Sequence, residues 1–243
     1  MRIPKVPSLL HFARFISKEP KAIDFRLREM AERPPHVNYV PARKGARDHL
    51  VLGVDAQNIL GMVERIKGKA QRQINKSALE AFLVLAPSLS GRRFADIDVR
   101  YFPIGRKLHV PVNPFLYSSG LDVESILWPS FWSELKLQQD QLAVYATILD
   151  ATFLSSVDFQ HCSLELADLG RVPGEKQRSP HILRRADLPT LTISELKEFT
   201  DPFAEAFLKI VEEIRRDSDS TKDRPGRSDA PRDWYLDQSP PPR

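Results

Sequence analysis

The fold is decided by residues 94–154, which read FADIDVRYFP IGRKLHVPVN PFLYSSGLDV ESILWPSFWS ELKLQQDQLA VYATILDATF L. In the first segment Phe94, Ile97, Val99 and Tyr101 fall on one side of an extended chain once an irregularity near Ala95 is allowed, with Asp98 and Arg100 opposite. Gly105, Arg106 and Lys107 form a turn. Leu108, Val110 and Val112 then alternate into Phe115–Tyr117, and Pro111 and Pro114 argue for an edge position or a bulge. Ser118-Ser119-Gly120 signals a hairpin, after which Val123–Trp132 forms a third extended segment. A helix is expected from Ser133 or Glu134 to about Leu154, with Leu142, Tyr145, Ala146, Leu149 and Phe153 as its apolar stripe.

Upstream, Met1–Pro7 reads as an extended basic arm. Ser8 is placed to cap a short helix to Ile16, and Pro20 to open a second one to about Glu32, stopped by Pro34-Pro35. Residues 36–54 read as irregular and basic, ending in a strand over His49–Val54. Asp55 is the expected N-cap of a helix over Ala56–Ile74, weakened by Gly61 and Gly68, and a break near Gly68 is compatible with that. Ser77 and Glu80 have capping-box spacing ahead of another helix ended by Pro87. Downstream, Val157–Leu169 reads as a strand and Pro180–Leu183 as a short partner for it. Thr192 and Glu195 make a second capping box before the helical stripe Phe203, Ala206, Phe207, Ile210, Val211 and Ile214. From Asp217 the chain is Asp, Ser, Arg and Pro around Trp234, Tyr235 and Leu236, a composition expected to stay disordered. The expected organisation is an N-terminal helical region over 1–75, an α/β core with its C-terminal helix over 76–216, and a tail over 217–243.

Composition excludes several classes. No run approaches the ~20 apolar residues of a membrane span. Met1–Ile16 lacks the apolar core and cleavage site of a secretory signal. Cys162 is the sole cysteine, which rules out an internal disulfide and a cysteine-rich metal site and makes the cytoplasm the expected compartment. The net charge is +4, and the tail's six acidic and five basic residues leave the body at +5, a modest excess compatible with phosphate binding. Histidines 11, 36, 49, 109, 161 and 181 show no metal-ligand spacing, and Cys162 sits on the apolar face of its strand.

Gln141 and Tyr145 stand four apart on one helix face, within the run Gln141-Leu142-Ala143-Val144-Tyr145-Ala146. Coming after three extended segments and before a fourth, this run resembles the Gln-x-x-x-Tyr element of the RecB-like PD-(D/E)XK nucleases, over roughly Lys76–Leu169. The resemblance implies a restriction-endonuclease-like α/β (α+β) fold, with a central mixed sheet of four to five strands flanked by helices and an N-terminal helical region. It also implies that Gln141 and Tyr145 line an active site, with an aspartate on the second strand and Asp/Glu-x-Lys on the third. Here the second segment offers His109 and Asn113, and the third offers Trp128-Pro129-Ser130 or Glu124 followed by Ile126. These cannot assemble the clustered carboxylates and lysine of a magnesium-dependent phosphodiesterase. No catalytic residue and no metal ligand is assigned on this pattern, and no cofactor is expected.

Three readings follow. The first is a non-catalytic or weakly catalytic scaffold that binds DNA or RNA through basic turns beside the sheet: Arg92, Arg93, Arg106, Lys107, Lys176, Arg178, Arg184 and Arg185, with Arg65–Lys76 as a further basic run. The second is a protein-interaction or regulatory subunit with a protein partner and no nucleic acid. The third is a Mg²⁺-dependent nuclease with a relocated site drawn from Asp96, Asp98, Glu124, Glu165 or Asp168. None involves a membrane. The aromatic patch Trp128, Phe131 and Trp132 reads as core, with base stacking as the alternative.

Overall fold

A computed structural model describes residues 3–32, 38–120, 123–135, 137–172 and 174–222. Pro34-Pro35, His36 and the tail from residue 223, with Trp234-Tyr235-Leu236, lie outside them. Five helices come first: α1 (Leu9–Phe15), α2 (Pro20–Glu32), α3 (Val40–Leu52), α4 (Ala56–Glu64) and α5 (Lys69–Leu85). The strands are β1 (Arg93–Ala95), β2 (Arg100–Ile104), β3 (Leu108–Val112), β4 (Leu116–Gly120) and β5 (Val123–Ser130). After them come α6 (Gln139–Leu149), β6 (Ser163–Asp168), β7 (His181–Arg184) and α7 (Ile193–Lys222).

The result is an α/β protein with a mixed five-stranded sheet in the order β1-β4-β5-β6-β7, and β2 and β3 form a separate hairpin. Strands β1, β4 and β5 pair antiparallel, β5 and β6 pair parallel, and β7 returns antiparallel on β6. A parallel pair needs a crossover, and α6 supplies it. Two of the three expected extended segments divide. Phe94–Tyr101 becomes β1 and β2, and Leu108–Tyr117 becomes β3 and β4. Residues 96–99 join no strand, and Pro111 and Pro114 confine β3 to a two-stranded ribbon paired only with β2.

The two faces of the sheet carry separate cores. Ile126, Trp128, Leu164 and Leu166 meet α1, α2, α6, α7 and the β2–β3 hairpin. Leu116, Leu127 and Ala167 meet α3, α4 and α5 on the other side. This is a three-layer sandwich, with helices on both faces of a sheet that is apolar on both sides.

Several local expectations hold. Asp55 accepts from the Asn58 amide at 2.9 Å, the helix breaks at Gly68, residues 105–107 turn, and Thr192 with Glu195 caps α7. Others change. His49–Val54 is the end of α3, closed by Gly53 at φ +67°, a backbone conformation favoured by glycine. Ser77 lies inside α5, which runs through residues 75 and 76. Buried Asn75 accepts from the Ala42 amide and donates to the carbonyls of Asn38 and Gln71, so α3 is anchored to α5 where a cap was expected. The last helix also continues through residues 217–222. Among the described residues no helix is long and apolar enough to cross a membrane.

Candidate functional site

Helix α6 starts at Gln139, later than expected, and is enclosed between the sheet, α1 and α7. Enclosure turns Gln141 inward. Its Oε1 accepts from the Gln138 amide, and its Nε2 donates to the carbonyls of Arg14 and Ile16 at the end of α1. Tyr145 is fully buried, edge-on to Trp128 at 5.5 Å, and burial pushes its phenol well above the usual range. Its hydroxyl finds no hydrogen-bond partner among the described residues. The two residues therefore brace α6 against α1 and the sheet.

The second strand of the main sheet is β4, where the central residues are Ser118 and Ser119, and the third is β5. His109 is exposed on the separate β2–β3 hairpin, and Asn113 accepts from Arg43. Ser118 and Ser125 are directly opposite, with their hydroxyls 2.8 Å apart. Ser125 donates to Glu165 Oε2 at 3.0 Å, and Arg92 Nη1 reaches the same oxygen at 2.6 Å. Because the Ser125 proton goes to Glu165, Ser118 is the donor to Ser125. This network lies on the face of the sheet toward α5 and engages Glu165 through its Oε2. Of the other carboxylates weighed for a relocated site, Asp96 pairs with Arg47, and Asp98 is exposed. Asp168 accepts from the Gly170 amide, while burial raises its pKa.

Glu124 is placed differently. It opposes Ser119 across the β4–β5 hairpin, and the parallel register of β5 on β6 sets it beside the residues that lead into Ser163. There His161 Nε2 lies 2.9 Å from Glu124 Oε2, and Cys162 Sγ lies 4.0 Å from the same oxygen. One ligand atom from each residue falls within 4.8 Å of the other two. Tyr117 packs against Phe159 at 6.2 Å, and desolvation first and then the neighbouring Glu124 raise its phenol pKa. Burial first, and then the charge of Glu124, push the Cys162 thiol up to about 11. A cavity of about 420 Å³ opens beside the cluster, lined by Ser119, Gly120, Val123, Glu124 and His161. Pattern reading missed this group, because it takes the β5–β6 register to bring residue 124 to residues 161 and 162. The adjacent His161-Cys162 pair was its only local signal.

No protein-family model matches this chain, and no curated protein matches it.

The structure distributes the basic residues. Arg92 is held by Glu165, and Arg185 by Asp150 at 2.8 Å. Arg178 binds Ser77 Oγ and the carbonyls of Phe131, Trp132 and Leu169, so it joins α5 to the strand ends. The side chains of Arg93, Arg106, Lys107, Lys176 and Arg184 are exposed. Arg93 is on edge strand β1 and Arg184 on the opposite edge, β7. Four strand spacings, ~19 Å, separate those edges, so no single groove gathers the set. A further basic surface lies elsewhere: Arg65, Lys67 and Lys69 are exposed around the α4–α5 turn and the start of α5, and half-buried Arg72 beside them donates to the Glu64 carbonyl at 3.2 Å. The first turn of α5 holds no acidic residue, and Gly68 has no side chain to cap its amides. Of the aromatic patch, Trp128 and Phe131 are core residues, and Trp132 packs against His11 and Arg14.

Proposed function

We propose that this chain is a cytoplasmic nucleic-acid-binding protein on a PD-(D/E)XK-like scaffold that lacks the nuclease carboxylates. The observation that carries the reading is the basic α4–α5 corner. Four cations there flank the N-terminal turn of a 17-residue helix whose open amides and dipole favour phosphate. The scaffold assignment draws support from element order. With the β2–β3 hairpin set aside, α5, three antiparallel strands, α6 and a parallel fourth strand follow one another. The site is read as binding without cleavage, because Ser118, Ser119 and Trp128-Pro129-Ser130 supply no anionic ligand where the family has them.

Binding through four phosphate contacts has a salt slope of about −3.6 on duplex DNA, so affinity falls about 10²-fold between 50 and 200 mM salt. Fluorescence anisotropy with labelled duplex DNA and single-stranded RNA measures it. Joint replacement of Lys67 and Lys69 by alanine reduces the duplex slope by about 2. Salt-independent binding, no binding to either probe at 50 mM salt, or a double variant indistinguishable from the parent refutes the reading and favours a protein partner.

A further inference from the structure

We propose that Glu124, His161 and Cys162 bind a divalent transition-metal ion of the zinc type, with a fourth coordination position open to the adjoining cavity. This site is independent of the basic corner. Its donors are a carboxylate, an imidazole and a thiolate, the mixed set that zinc takes in tetrahedral coordination, whereas magnesium takes oxygen. Tetrahedral bonds of about 2.0 Å to nitrogen and oxygen and 2.3 Å to sulfur separate the ligand atoms by ~3.3–3.6 Å. The observed separations bracket that range: 2.9 Å from His161 to Glu124, 4.0 Å from Cys162 to Glu124, and all within 4.8 Å. Insertion of an ion thus requires the His161–Glu124 hydrogen bond to open by ~0.4 Å and the remaining edges to tighten by at most ~1.3 Å.

The supporting structure suits such an adjustment. Glu124 and Cys162 sit on, or directly before, paired strands, which fixes their backbones. The His161 side chain is 60% exposed, so packing does not lock its ring against a small rotation. Metal binding exchanges the Cys162 thiol proton, released to solvent, for the metal–sulfur bond. Three protein ligands fill three tetrahedral positions, and the fourth faces the ~420 Å³ cavity beside Ser119 and Gly120, where water or a small anion can coordinate.

The experiment titrates the full-length chain, stripped with a chelator, with Co²⁺ and then Zn²⁺. One Co²⁺ per chain is expected, with a sulfur-to-cobalt charge-transfer band and tetrahedral ligand-field bands that Zn²⁺ abolishes stoichiometrically. Cys162→Ser removes the charge-transfer band. His161→Ala and Glu124→Gln, at side chains exposed enough to tolerate change, weaken Zn²⁺ binding at least tenfold by calorimetry. Far-ultraviolet circular dichroism checks that each variant is folded, and the histidine and glutamate variants decide the matter if the serine variant is not. Absence of a saturable 1:1 complex, a cobalt spectrum without sulfur ligation, or binding that survives His161→Ala and Glu124→Gln overturns the proposal.

Discussion

Replacing Tyr145 by phenylalanine is expected to stabilise the protein. The ring is fully buried between the sheet and α6, and its hydroxyl has no hydrogen-bond partner among the described residues. Burying an unsatisfied hydroxyl costs about 1–3 kcal/mol relative to the solvated group. Phenylalanine keeps the ring and its edge-on contact with Trp128 at 5.5 Å and removes only the orphan oxygen. Allowing for the small void left, the gain is about 1–2 kcal/mol, or roughly 2–8 °C in Tm for a chain of this size. Urea unfolding followed by tryptophan fluorescence measures it: the midpoint rises at constant m-value. Tyr145→Ala, which discards the ring, falls by about 3–5 kcal/mol and reports the packing contribution separately. The duplex-binding curve is expected to be unchanged in Tyr145→Phe, because Tyr145 lies in the core on the opposite face of the sheet from α4 and α5. A fall in stability on removing the hydroxyl alone would refute the reasoning, since it would mean that the oxygen is hydrogen-bonded in solution.

Glu165→Ala should destabilise by about 3–5 kcal/mol in the same assay, because it leaves the Arg92 guanidinium, only 14% exposed, without its counter-charge and Ser125 without its acceptor. Asp55→Ala removes the acceptor for the Asn58 amide and should cost about 1 kcal/mol at the start of α4, while Asp55→Asn should recover most of it. For Asp168, burial raises the folded pKa above the unfolded one, so the native state binds its proton more tightly. Its contribution is fully present below the unfolded value and is lost as pH rises through the folded one. Asp168→Asn, which can still accept from Gly170, should therefore gain on the parent as pH rises, and a difference that stays flat between pH 3 and 7 would contradict this.

What could be read from the chain alone is what neighbours within a few residues dictate. Asp55 ahead of Ala56, the turn at Gly105, the capping pair Thr192 and Glu195 and the stripe from Phe203 to Ile214 express local hydrogen bonding and helical period, and each appears in place. The alternation of extended and helical segments, read in order, pointed to the α/β class, while the mixed character of the sheet was an expectation from the resemblance carried by the Gln141–Tyr145 run. Where several conformations suit the local residues, tertiary contacts decided. His49-Leu50-Val51-Leu52 has strand composition, but Ala42 and Ala46 pack with α5 and Gly53 closes a helix. The destinations of side chains were equally non-local. Gln141 is turned inward because α1 lies over α6, and Arg92 is consumed by Glu165 from a strand 73 positions on. Glu124 meets His161 and Cys162 through the parallel register of β5 on β6, a pairing between segments 38 positions apart in the chain. Periodicity and capping act over one or two turns of chain, whereas strand register and burial depend on the summed packing of distant segments, so the elements were legible and the meeting of these three ligands belonged to the folded structure.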